Sequence, residues 1–236
     1  MNKTQCMYFK KGSVKHNMDN VSLKIDEIPL KFYDSIKFLG VILNTRLSWE
    51  DHITSVCSKV SRFVGILNRL KYELPNRILF ALYNAFILSH LSYCNSVWGN
   101  TYSSHLHKLT LLQKKAIRIC MKADYLAPTS NLFKSLKTLK LKDINKLQVG
   151  SLMQRYHTNT LSRYLMSMFA ANSNIHNHYT RSCDKFHRWT YLNDKSKYSF
   201  RHAGPALWNS LSLNHYNVQF NNIFKRQYKK TLLSLY

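Results

Sequence analysis

The sequence predicts a mainly α-helical protein with a small β region at its N-terminus. Two observations carry this reading. Over the first 45 residues apolar side chains alternate with polar ones, the two-residue period of strands. From Trp49 onward they recur every three or four residues, the period of helices. The chain is expected to divide into a β-rich segment 1–46, a helical bundle 47–125 and a basic helical region 126–236. With 236 residues and 45% hydrophobic content, the chain can bury a sizeable core.

The elements follow in order. Cys6-Met7-Tyr8-Phe9 is a short apolar run suited to a strand. Val21, Leu23 and Ile25 alternate, as do Ile28, Leu30 and Phe32, so Asp26-Glu27 between them reads as a hairpin turn, with Pro29 on an edge. Ile36 to Leu43 reads as one continuous strand with a bulge at Gly40. Ile53, Val56, Cys57, Val60, Phe63, Val64, Leu67 and Leu70 then form a helical stripe, with Ser48 as its N-cap and Asp51 three residues on. Pro75 opens the next helix, with Ile78, Leu79, Leu82, Tyr83, Phe86, Ile87 and Leu91 apolar. Residues 95–101 read as a loop. A third helix spans about 104–122, followed by a short one at 129–136 and a longer one at 143–156. Residues 170–178 and 191–199 are polar, Gly204-Pro205 reads as a turn, and 220–236 as a basic amphipathic helix.

Charge is the strongest compositional signal. There are 35 Lys and Arg against 11 Asp and Glu, a net charge of +24. Such a chain repels itself unless a polyanion is near, and neutralising phosphates releases counterions. Nucleic acid is the expected partner, with an anionic membrane surface as the rival. The apolar run 78–91 is too short to span a bilayer and carries Asn84, Ser89 and His90, so it reads as a buried helix, and no membrane is expected as a partner. Met1-Asn2-Lys3-Thr4 leads into polar sequence, so no signal peptide is expected. Five widely spaced cysteines, none in a Cys-x-x-Cys pair, point to a reducing compartment.

Between Lys108 and Lys146 there are ten Lys or Arg and two acids, Asp124 and Asp143. Lys59, Arg62, Lys114, Lys115, Arg118 and Lys122 are the candidate phosphate contacts, from their helical placement and charge. His176, His178, Cys183 and His187 have zinc-ligand chemistry, but their spacing matches no common finger, so a surface loop is preferred and no metal site is expected. No nucleophilic triad and no glycine-rich phosphate loop can be argued, so no catalytic residue is assigned.

Several stretches resemble, in order, the end of the palm, the thumb and the C-terminal region of non-LTR retrotransposon reverse transcriptases of the jockey and CR-type clades. These are Lys3-Thr4 with Met7-Tyr8-Phe9, Ile36-Lys37-Phe38-Leu39-Gly40-Val41, and Leu47-Ser48-Trp49 with His52-Ile53. Tyr93-Cys94-Asn95-Ser96-Val97-Trp98-Gly99 and Leu112-Gln113-Lys114-Lys115-Ala116-Ile117-Arg118 follow. Tyr179-Thr180-Arg181, then Arg201 with Gly204-Pro205-Ala206-Leu207-Trp208-Asn209-Ser210-Leu211, complete the series. The resemblance implies an RNA-directed DNA polymerase with RNA and DNA, as template and primer, for partners. It also implies that Phe38, Leu39 and Gly40 form a primer grip, that residues 1–46 are a palm-end remnant, and that 47–125 are a thumb.

One departure bears on activity. Such polymerases hold two metal ions on paired palm carboxylates, and this sequence contains no adjacent Asp-Asp pair. The chain is therefore expected to bind nucleic acid without polymerising it, and to use no cofactor. Mg²⁺ is expected only in the intact parent enzyme, and Met1 reads as an internal methionine of a longer frame. The alternative is a stand-alone basic nucleic-acid-binding protein derived from a retrotransposon. Either would act inside the cell, in the cytoplasm and nucleus. Oligomeric state stays open.

Overall fold

The computed structural model describes residues 4–9, 23–175, 181–190, 194–211 and 220–236. It is mainly helical with a small N-terminal β region, as expected. Two compact units divide at Val56, inside the first long helix.

In the first unit, β1 (Lys24–Ile25) and β2 (Ile28–Pro29) pair antiparallel. Asp26 and Glu27 between them both take positive φ, 47° and 62°, which is what a tight two-residue hairpin turn requires. The expected strand at Cys6–Phe9 is reduced to a single bridge, Cys6 to Phe32. The expected continuous strand 36–43 is instead a second hairpin. Here β3 (Ser35–Phe38) turns at Leu39-Gly40 and returns as β4 (Val41–Asn44), with Phe38 opposite Val41 and Ile36 opposite Leu43. Gly40, at φ 82°, supplies a conformation that costs other residues energy, and Leu39 adopts φ 45° beside it. The largely apolar run concealed this turn, because the usual Asn or Asp signal is missing.

Helix α1 (Glu50–Arg69) begins one residue later than expected. Trp49, at φ 63°, holds the cap position, and its carbonyl accepts the Ile53 amide. Ser48 is not the cap. Its hydroxyl and backbone amide both bond the Asn44 side chain, whose amide nitrogen also reaches Asp51 at 3.1 Å. Glu50 and Asp51 complement the positive end of the helix.

The second unit is built around α7 (Leu141–His157). Pro75 caps α2 (Asn76–Leu82), which continues through a π-helical stretch (Tyr83–Leu88) into α3 (Ser89–Ser92). Helix α4 (Asn95–Trp98) occupies the segment expected to be loop, entered through Cys94 at φ 48°. Next come α5 (Ser103–Cys120) and α6 (Thr129–Ser135), the latter capped by Pro128. Short α8 (Arg163–Met166) and α9 (Asp194–Lys197) precede α10 (Phe200–Trp208) and α11 (Asn221–Ser234).

Helix α7 is surrounded by α3, α4, α10 and α11. It is buried on almost every side, so it carries small and amide residues where a one-faced helix would carry charges. A methyl group on Gly150 would press on Tyr228 and Phe224 of α11 at 3.2 and 3.3 Å. On Gly204 it would meet the Met153 sulfur at 2.7 Å. Gly204-Pro205 is therefore not a turn but the interior of α10, where a missing side chain lets two helices close. The lost Pro205 amide bond is offset by Trp208, fully buried and stacked on Phe224 at 5.7 Å.

Candidate nucleic-acid interface

The sequence stretches that carry the resemblance prove largely structural. Gln113 is fully buried, and its amide nitrogen donates to the Tyr83 hydroxyl at 3.0 Å and the Leu139 carbonyl at 2.9 Å. Its oxygen accepts the Leu141 amide at 2.8 Å. One side chain thus joins α5, the π-helical stretch and the start of α7. Asn95 donates to the Leu91 carbonyl, and α7 answers through Asn145, which donates to the Asn95 carbonyl. Gln148 accepts the Ser96 amide and donates to the Ser92 carbonyl. Gly99 lies so close to Asn95 that any side chain there would collide with its carboxamide. Asn209 pairs with both backbone groups of Phe186.

What remains outside is charge. On α5 the buried side is Leu109, Gln113, Ala116, Ile117 and Cys120. Outside that side, Lys108 and Lys115 on α5 and Lys122 two residues past its end recur every seven residues, all exposed, with exposed Leu111 among them. Among the described residues none of these three lysines makes an ion pair. Lys114 lies half-buried at the margin of that face. Arg118 shares the face, but its Nε donates to the Ala127 carbonyl at 2.9 Å and so also holds the following loop. Lys122 closes the helix at φ 52°, where its amide bonds the Ile119 carbonyl and the Ala123 amide bonds that of Arg118.

Lys59 and Arg62 on α1 do not join this row. Burial raises the Cys57 thiol pKa, and the Lys108 charge partly offsets it. Lys59 is about 200° further round the helix. There it faces His90, whose pKa is lowered by burial and by the Lys59 charge. Arg62 is exposed, and its Nε reaches the Ser58 carbonyl at 3.4 Å. Lys108 is the residue that sequence reading left out of the candidate set, and its seven-residue spacing to Lys115 and Lys122 is the signal that finds it.

Phe38, Leu39 and Gly40 stand at the tip of the second hairpin. Phe38 is 61% exposed and Leu39 73%, so two apolar side chains project where a turn would ordinarily be polar.

Burial pushes the Cys120 thiol up to about 12 and the Tyr83 phenol, against its Gln113 hydrogen bond, to about 12. Among the described residues no three His, Cys, Asp or Glu side chains converge. Cys183 is buried and His187 bonds Asn172 at 3.2 Å, while His176 and His178 lie outside the described residues. A cleft of about 540 Å³ between α5, α7 and α10 is lined in part by His107, Lys142, Lys146 and Tyr198. Lys146 there is paired with Asp143 at 2.8 Å. Among the described residues no helix is long and apolar enough to cross a membrane.

The chain is 28% identical over 169 residues to the RNA-directed DNA polymerase from mobile element jockey of Drosophila melanogaster, covering 67% of this chain. It is 25% identical over 138 residues, 56% of its length, to a probable RNA-directed DNA polymerase from transposon X-element of the same species. Its curated homologues are non-LTR retrotransposon RNA-directed DNA polymerases. The Drosophila funebris jockey polymerase is 29% identical over 126 residues. The matched part is small: it amounts to 18% of the Drosophila melanogaster jockey polymerase and 14% of the X-element polymerase. No family model matches the chain, and no solved structure matches it.

Proposed function

We propose that this chain is the template–primer-binding portion of a non-LTR retrotransposon RNA-directed DNA polymerase, and that alone it binds RNA and DNA without polymerising. The observation that carries the reading is the exposed row Lys108, Lys115 and Lys122, free of ion pairs among the described residues. A row of ammonium groups along a helix and its closing turn contacts phosphates and reads no sequence. Lys114 and Arg118 flank it, and Lys59 and Arg62 add a second basic face. The tip at Phe38-Leu39-Gly40 would rest on the primer end, where apolar side chains and a bare glycine allow a backbone to come close. Two-metal chemistry needs converging carboxylates. The absence of an adjacent Asp pair supports inertness, and Mg²⁺ belongs to the intact enzyme. The chain would act in the cytoplasm and nucleus.

The test is fluorescence anisotropy with an RNA–DNA hybrid across a salt series. Wild-type affinity should fall steeply with salt, and changing Lys108, Lys115 and Lys122 together to Glu should lower the logarithmic slope by about three. An unchanged slope in the triple variant overturns the reading.

A further inference from the structure

Two strongly exposed aromatic side chains emerge at one end of the helical unit. Tyr72, 82% exposed, lies between α1 and α2, and Tyr125, 73% exposed, lies between α5 and α6. The Cys120 thiol bonds the Leu79 carbonyl, which sets the start of α2 against the end of α5. Both loops therefore leave the unit at that end.

The Tyr125 loop is held while its ring is not. Lys122 closes α5, Arg118 grips the Ala127 carbonyl, and the Ala127 amide bonds the Asp124 carbonyl at 3.2 Å. The Asp124 carboxylate, the acid nearest in sequence, accepts the Tyr125 amide. Leu126, 81% exposed, stands beside the ring. A fixed backbone carrying an outward ring loses little freedom when a partner stacks on it. The lysine row leads there: Lys108 and Lys115 stand two turns apart on α5, about 10.5 Å along its axis, and Lys122 follows just past the helix end, three residues before Tyr125. At Tyr72 the Lys71 ammonium lies 5.5 Å from the ring centre.

We infer that Tyr125, with Leu126 beside it, is a stacking platform for an unpaired base of an RNA or DNA strand whose phosphates follow Lys108, Lys115 and Lys122. Tyr72 is a second platform at the same end. Basic tracks with aromatic faces are how proteins hold single strands without reading sequence. The inference rests on the nucleic-acid reading above and goes beyond it, because it puts unpaired nucleotides, not duplex, at the end of α5.

The experiment uses the full chain and two labelled probes of about twelve nucleotides, oligothymidylate and an abasic strand of equal length. Tyr125→Ala should weaken oligothymidylate binding about five- to hundredfold, leave the abasic strand unaffected, and leave the salt slope unchanged. Tyr125→Trp should restore binding. Equal loss on both probes, or no loss on either, overturns the platform. If wild type binds the RNA–DNA hybrid with a steep salt slope while Tyr125→Ala still binds oligothymidylate normally, only the platform fails. If wild type binds none of the probes, the nucleic-acid reading fails with it.

Discussion

The two units treat their apolar residues in opposite ways. In the helical unit Trp98, Trp208, Tyr83, Phe133 and Phe224 are all buried, and the polar side chains that enter with them are largely matched to backbone groups. In the β-bearing unit Leu23, Ile25, Ile28, Phe38 and Leu39 are exposed, and among the described residues burial is confined to Val41, His52, Ile53 and Val56. Two-stranded ribbons have no second layer to cover their apolar face. Stability therefore resides in the helices, while the hairpins leave apolar side chains open.

Substitutions can break this contrast. The largest effect is expected from Trp208→Ala, which removes the ring joining α7, α10 and α11 and should cost about 4 kcal/mol in chemical denaturation. Phe38→Ser, equally drastic in chemistry, should leave the midpoint almost unmoved, and a large shift there would show a core in the hairpin. Next comes Gln113→Leu. It keeps the volume but strands the Leu139 carbonyl and Leu141 amide, for about 3 kcal/mol. Gln113→Glu should recover part of that loss.

Leu39→Asn acts in the other direction. Asn tolerates the positive φ that Leu39 is forced to adopt, so the variant should gain up to about 1 kcal/mol. If the apolar tip serves a primer end, the same variant should lose affinity for template–primer, and a gain in both would separate stability from function.

The smallest effect is pH-dependent. The His90 pKa is lowered from 6.5 in the folded chain by burial first and the Lys59 charge second. The unfolded chain then takes up the proton more readily. Stability from neutral His90 is full above 6.5 and is lost as pH falls below it toward the folded value. Denaturation midpoints compared between about pH 7 and about pH 5 should fall less for His90→Gln than for wild type, and parallel curves would dismiss the residue.

Much of the fold could be read along the chain. The helical periods at α1, α5, α7 and α11, the entries at Pro75 and Pro128, and the Asp26-Glu27 turn depend on side chains within one or two turns of each other. Net charge and the ordered resemblance to reverse transcriptases are likewise properties of sequence alone. The tertiary structure decided the rest. Gln113 looks like a surface amide until Tyr83 and Leu139 arrive from 30 and 26 residues away. Gly204-Pro205 looks like a turn until the Met153 sulfur lies where a side chain would go. Lys59 and Lys115 look like one basic surface until α1 turns Lys59 toward His90 and Lys115 stays exposed on α5. A local period tells which side of a helix is apolar, but not which partner covers it, and the partner determines which polar groups are buried and which charges remain exposed.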